Sequence, residues 1–315
     1  VLYSPTITTT ISIILENFTS EGNGILTQPP VFMEFRDVIR NTKRRIIKNP
    51  LKLIEKRYQI DFPVLEEKAK LENNKVLLIC NPHNPVGRVW RKEALTQIVR
   101  ICKENDVLLI SDETHKDIIL FDNQFTSALQ FNKEYDKIVV CTSEAKTFNL
   151  CGITDSMVII SNEEIRRSVS ATFKKYNLGR TNALTRVALE SAYTDGGIWL
   201  KSILDTIENN VTSVEKELEN SKINYYVITK FTRNKIKAKS YILKYLLRKE
   251  LKNLEINPKY ILFIPKQRTY ISNKAPIQYS TQDKDAVLFN DNNVNTIIDY
   301  CALKNIKCIK LAISL

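Results

Sequence analysis

An α/β fold with a largely parallel sheet is the architecture this sequence predicts, and three observations carry that expectation. Short, β-branched apolar runs alternate with longer stretches of helical periodicity. The runs are apolar throughout, as strands covered on both faces must be. Turn-forming or polar residues follow where the runs end. At 315 residues, with 43% hydrophobic and 26% charged residues, the chain exceeds what one compact core usually holds. A large domain over residues 1–205 and a smaller one over residues 206–315 are expected.

In chain order, Ser4-Pro5-Thr6-Ile7-Thr8 precedes the apolar pattern Ile11 to Leu15 and reads as a loop entering a helix. Residues 75–80 (KVLLIC) read as a buried strand ended by Asn81-Pro82. Residues 91–105 follow as an amphipathic helix with Leu95, Ile98, Val99, Ile101 and Cys102 on one side. Three more strands are read at 107–111 (VLLIS), 138–142 (IVVCT) and 157–160 (MVII), and helices at 163–174, 181–193 and 198–217. In parallel sheets ligands sit at the carboxyl ends of the strands. The residues that matter most are therefore those just past each strand: Asn81 to Gly87, Ser111 to His115 and Thr142 to Asn149.

Charge separates the two expected regions. The net charge is +12, and residues 221–315 account for all of it with 18 Lys+Arg against 6 Asp+Glu. All seven glycines precede residue 198. The basic stretch 230–252 also carries Ile242, Leu243, Leu246 and Leu247 at helical spacing, so it reads as a solvated helix face, and nucleic-acid binding is not expected. No apolar run approaches the roughly 18 residues of a membrane span, so no membrane association is expected. The chain opens on Val1 without an initiator Met or a basic, then apolar leader, so its start reads as the edge of a fragment and no secretory signal is expected. Six scattered cysteines without a Cys-x-x-Cys pair suit reduced thiols in a cytoplasmic compartment. With only His83 and His115 as imidazoles, neither near a cysteine or carboxylate at ligand spacing, no metal site is expected. His83 reads as a turn residue.

Three strand-end segments carry the chemistry: N-P-H-N-P-V-G-R-V-W at 81–90, S-D-E-T-H at 111–115 and S-E-A-K-T-F-N-L-C-G at 143–152. Together, in this order, they resemble fold-type I pyridoxal-phosphate enzymes of the aminotransferase class I/II family, and within it the cystathionine β-lyase (C-S lyase) subgroup. The resemblance covers about residues 1–200. It implies a three-layer large domain with a mostly parallel sheet, plus a smaller, divergent α+β C-terminal domain. It implies pyridoxal 5'-phosphate as cofactor, a small amino acid as substrate and a homodimer.

Residue by residue, the resemblance makes Lys146 the amine that binds the cofactor and works as catalyst, and Asp112 the carboxylate that keeps the pyridine nitrogen protonated. Asn84 takes the place of the donor to the ring's 3-oxygen, and His115 that of a neighbour of the same oxygen. Ser143 matches a phosphate-contacting serine, and Thr6 lies in the phosphate loop, where the usual glycine is replaced. Phe32 matches the aromatic residue that stacks on the ring, without the usual tyrosine hydroxyl. Lys310, in Cys308-Ile309-Lys310-Leu311-Ala312, stands where an arginine is expected to bind the substrate carboxylate. The family's N-terminal segment is expected to be missing. Singly, each residue has a plainer role: a helix cap for Asp112, a turn for Asn84, core for Phe32, surface for Lys146. The implied reaction is β-elimination of cystathionine or cysteine-type amino acids to a thiol, pyruvate and ammonia. An aminotransferase, or a degenerate relative that keeps the pocket without efficient turnover, are the alternatives.

Overall fold

The computed structural model describes residues 1–219, apart from residues 56, 154 and 182, together with Tyr260–Phe263 and Ala286–Phe289. Two compact units are present, Val1–Lys235 and Ile236–Leu315. In the first, the elements run β1 (Leu2–Ser4), α1 (Ile7–Phe18), β2 (Gly24–Thr27), α2 (Met33–Asn41), β3 (Arg45–Lys48), β4 (Lys52–Ile54), β5 (Arg57–Gln59), α3 (Phe62–Ala69), β6 (Asn74–Cys80), α4 (Lys92–Glu104), β7 (Leu108–Asp112), β8 (Ile138–Thr142), β9 (Ser156–Ile160), α5 (Glu163–Lys175), α6 (Ala183–Asp195) and α7 (Gly197–Glu219). A 3₁₀ turn at Ala128–Phe131 lies between β7 and β8.

Seven strands form one sheet in the order β1-β9-β8-β7-β6-β2-β3. From β3 to β8 every pairing is parallel, while β9 runs antiparallel to both β8 and β1. All strands of this sheet but β9 therefore point the same way. Alternate residues of each strand enter opposite faces, which is what a strand apolar at every position is built for. Leu77, Ile79, Leu109, Ile138 and Val140 pack with α3 and α4. Val76, Leu78, Leu108, Ile110, Val139 and Val158 pack with α1, α2 and α5. This is the expected three-layer α/β architecture with a mostly parallel sheet.

Local chemistry sets the helix positions. Thr6 caps α1 by accepting from the Thr9 amide at 3.0 Å. Asn162 caps α5 by accepting from Ile165 N at 2.9 Å; Glu163 and Glu164 occupy the first turn and Lys174 and Lys175 the last, each favourable to the helix dipole. Helix α4 buries Leu95, Ile98, Val99, Ile101 and Cys102, the face its periodicity selects. In the second unit, β10 (Tyr260–Phe263) and β11 (Ala286–Phe289) pair in parallel. Among the described residues no helix is long and apolar enough to cross a membrane.

Candidate active site

Because β6, β7 and β8 are parallel, their carboxyl ends and the loops behind them share one edge of the sheet. In register across that edge stand Cys80, Asp112 and Cys141. Strand β1 runs in the direction of β8, with Ser4 opposite Ser156 and the Ser156 hydroxyl donating to Ser4 O at 3.0 Å. This brings Ser4-Pro5-Thr6 and the N-terminus of α1 to the same edge. The structure thus gathers Thr6, Asn84, Asp112, His115, Ser143 and Lys146 on the carboxyl edge. Phe32 joins them in the loop after β2, at the start of α2, with its ring edge-on to Phe35 at 5.6 Å. Lys310 lies outside the described residues.

Asp112 is the buried carboxylate at the middle of this edge. Its Oδ1 accepts from Thr114 N at 3.1 Å and Thr114 Oγ1 at 2.5 Å, while Oδ2 has the Cys80 thiol at 3.8 Å. Burial raises its pKa above the ordinary carboxylate value, against the donors from Thr114 and the positive charge of Lys146. Burial and the Asp112 charge in turn push the Cys80 and Cys141 thiols well above their ordinary range, so neither is a ready nucleophile. Among the described cysteines, none of which forms a disulfide, Cys80, Cys102 and Cys141 are buried and Cys151 is exposed.

The lysine sits on a tight turn behind β8. Ser143 Oγ accepts from Ala145 N at 3.2 Å and donates to Asp155 O at 3.0 Å; the amides of Phe148 and Leu150 then donate to Glu144 O and Ala145 O, both at 3.0 Å. Lys146 Nζ donates to Cys151 Sγ at 3.5 Å, and that thiol lies 3.1 Å from Ala145 O. Glu144 is buried with one carboxyl oxygen lacking a hydrogen-bond partner, and burial raises its pKa.

Asn84 is half-buried in a loop pinned at both ends. Asn81 donates to Thr126 O at 2.8 Å and accepts from Trp90 N at 3.2 Å, and the Trp90 indole donates to Cys80 O at 3.0 Å. His83 is more than the turn residue it reads as. It is fully buried, edge-on to Trp90 at 5.4 Å, with Nε2 3.1 Å from Pro30 O, and burial lowers its pKa to about 4. The reason is the loop's path, which folds the imidazole under the segment that leads to Phe32. His115 is buried beside Asp112, and its carbonyl accepts from Ile118 N at 3.0 Å.

Glu113 is a further buried acid that sequence reasoning does not single out. Its Oε1 accepts from Ser111 Oγ at 3.0 Å and Ala128 N at 2.8 Å. Burial, with a smaller push from Asp112, raises its pKa to about 7. Its position directly after Asp112 was the available signal, since alternation turns it away from its neighbour.

Residues 1–252 match the family model for aminotransferase class I and II. The chain is 35% identical over 216 residues to cystathionine beta-lyase PatB of Bacillus subtilis, an alignment that covers 68% of this chain and 56% of the relative. Among solved structures it resembles cystalysin from Treponema denticola, which contains pyridoxal 5'-phosphate, at 33% identity and a TM-score of 0.68, covering 70% of this chain and 56% of that one. It resembles equally a pyridoxal-phosphate-bound putative aminotransferase from Clostridium difficile 630, at 33% identity and a TM-score of 0.68, covering 73% and 60%. The chain therefore spans a little over half the length of these relatives.

Proposed function

This chain belongs to the aminotransferase class I and II family, and from that premise we propose that it is a pyridoxal-phosphate-dependent carbon-sulfur β-lyase. Its substrates are cystathionine or cysteine-type amino acids, and its products a thiol, pyruvate and ammonia. The observation that carries the reading is the buried Asp112 carboxylate at the centre of the sheet edge, close enough to Lys146 to feel its charge.

The donor set fits the cofactor. A carboxylate that burial penalises, with only a thiol 3.8 Å from Oδ2, is suited to hold a cationic ring N–H. Bound pyridoxal phosphate supplies an electron sink for the negative charge left on a substrate's α-carbon when its proton is removed.

The chain's own groups do the rest. Lys146 Nζ would hold the cofactor and is the amine placed to take the α-proton; Asp112 would keep the ring nitrogen charged. Asn84 and His115 would orient the ring's oxygen, and Phe32 would pack on the ring. Ser143, Thr6 and the first amides of α1 hold the phosphate, since free N–H groups at a helix start favour a dianion.

We assign the active form to a homodimer in the cytoplasm. Exposed apolar residues on α6 and α7, with Leu184 73%, Val187 63% and Ile198 88% exposed, support the first, and the buried thiols of Cys80, Cys102 and Cys141 the second. An aminotransferase is the second reading, supported by the relative from Clostridium difficile.

The test is the visible spectrum of the purified chain with added pyridoxal phosphate, beside Lys146→Ala. A protein-bound band present only in the wild type, followed by pyruvate release from cystathionine, is expected. Amino transfer to a keto acid without pyruvate release would favour the second reading. Identical spectra for wild type and variant, both like free cofactor, would sink both.

A further inference from the structure

Helix α6 is tied to the lysine turn by a closed set of contacts that the chemistry above does not use. Asp117 receives three donors: Lys116 Nζ on Oδ1 at 2.7 Å, and on Oδ2 Thr147 Oγ1 at 3.1 Å and the Tyr193 hydroxyl at 2.9 Å. Lys116 Nζ also donates to the Tyr193 oxygen at 3.1 Å and lies 5.1 Å from the centre of its ring. The tyrosine oxygen gives its proton to a carboxylate while accepting one from an ammonium, so all four side chains serve one arrangement. Lys116 and Asp117 side chains are only 25% and 21% exposed. Their attraction is therefore screened less than that of a surface pair.

Apolar contacts run alongside. Phe148 lies edge-on to Tyr193 at 5.3 Å and 6.0 Å from Trp199. Gly196, between α6 and α7, makes room for it: a Cβ there would stand 2.6 Å from Phe148 Cε1 and 2.3 Å from Ala192 O. Of the two residues directly after Lys146, Phe148 packs on the corner where α6 meets α7 and Thr147 reaches Tyr193 of α6 through Asp117. A lysine side chain is long and flexible, and what a fold can fix is the backbone from which it extends.

We propose that Asp117, with Lys116 and Tyr193, is a positioning device that holds the Lys146 turn in place from helix α6 through the Thr147 hydroxyl. Asp117 acts through Thr147 and touches neither cofactor nor substrate. The inference rests on Lys146 being the cofactor-binding amine.

Thr147→Val, Thr147→Ser and Asp117→Asn test it in two measurements. In the cofactor-free chain, Lys146 is pulse-labelled by reductive methylation and followed by peptide mass spectrometry against exposed Lys43. In the loaded chain, circular dichroism of the visible band reports how the cofactor is held. Thr147→Val and Asp117→Asn are expected to change the Lys146 labelling rate severalfold and weaken the dichroic band, while Thr147→Ser, which keeps the hydroxyl, matches the wild type in both. Labelling in Thr147→Val equal to the wild type, with only the thermal midpoint lowered, would overturn the proposal by making these contacts purely stabilising. If the wild type forms no Lys146-dependent band, it is the cofactor reading that fails. The labelling of the cofactor-free chain then still decides the positioning role.

Discussion

Strands β6, β7 and β8 contain two regions a few residues apart that are built on opposite terms. Along their length, Val76 to Ile79, Leu108 to Ile110 and Ile138 to Val140 are apolar and buried on both faces, and helices cover them. At their carboxyl ends the same sheet buries Asp112, Glu113, Ser143 and Glu144. Burial, the source of stability in the body, acts against the charged form of these acids: Asp112, Glu113 and Glu144 all have raised pKa values. The body holds the fold, and the edge carries groups in protonation states that cost the fold something.

Three substitutions put that contrast at risk. The largest effect on stability is expected in the body. Leu78, wholly buried against the face covered by α1, α2 and α5, should cost about 2–5 kcal/mol as Leu78→Ala, read from urea unfolding. A loss well below 1 kcal/mol would mean that the body is not the stabilising half.

At the edge, the effect should depend on pH. Glu113, raised to about 7, favours the fold below its ordinary value of 4.5 and loses that contribution as pH rises through about 7. His83, lowered to about 4, contributes above its ordinary value of 6.5 and loses that as pH falls through about 4. The two slopes oppose each other across nearly the same window. Glu113→Gln removes one of them, so the variant's stability should climb with pH, relative to the wild type, by up to about 3 kcal/mol between pH 4 and 7. Parallel curves in urea unfolding at a series of pH values would show that Glu113 is not penalised by burial.

The smallest effect on the fold is expected at Asp112. Without cofactor at pH 7, Asp112→Asn should be at least as stable as the wild type, because a desolvated charge is removed while an amide oxygen can still accept from Thr114. Cofactor affinity, measured by titration of the visible band, should nevertheless fall about tenfold to a hundredfold, the worth of a hydrogen bond to a charged group. A large drop in stability would place Asp112 with the body instead.

The elements that could be read from the sequence are those with the longest uninterrupted signal. Strands β6 to β8 stand out because the body of a strand buried on both faces needs no polar position. The spacing in α4 selects the five residues that the helix buries. Strand β3, Arg-Ile-Ile-Lys at the sheet's margin, carries charge at both ends and only two apolar residues, too few to set it apart from a turn. Strand β1 has three residues, and only pairing with β9 makes it a strand.

The placement of Asp112 and Lys146 on one sheet edge was legible because their neighbours form recognisable strings placed after strands. The thiols beside Asp112 were not, since Cys80 and Cys141 meet it only through strand register. Nor were Thr147 and Tyr193 as partners of Asp117, which lie 30 and 76 residues from it along the chain. Periodicity reports what a residue buries, and long-range pairing reports what it touches; only the first is written locally.

The single reversed strand sets an order of assembly. Strand β9 bridges β8 and β1, and the Ser156–Ser4 contact spans 152 residues. During synthesis β1 must wait for β9, the last strand of the sheet in chain order, before it has a neighbour to pair with. Ordering so distant a contact is slow, because the loop entropy is lost before the pairing rewards it. The Ser4-to-Thr6 end of the candidate site is thus among the last parts to take shape, and a nascent chain halted before β9 would hold Asp112 and Lys146 without the loop that completes their edge.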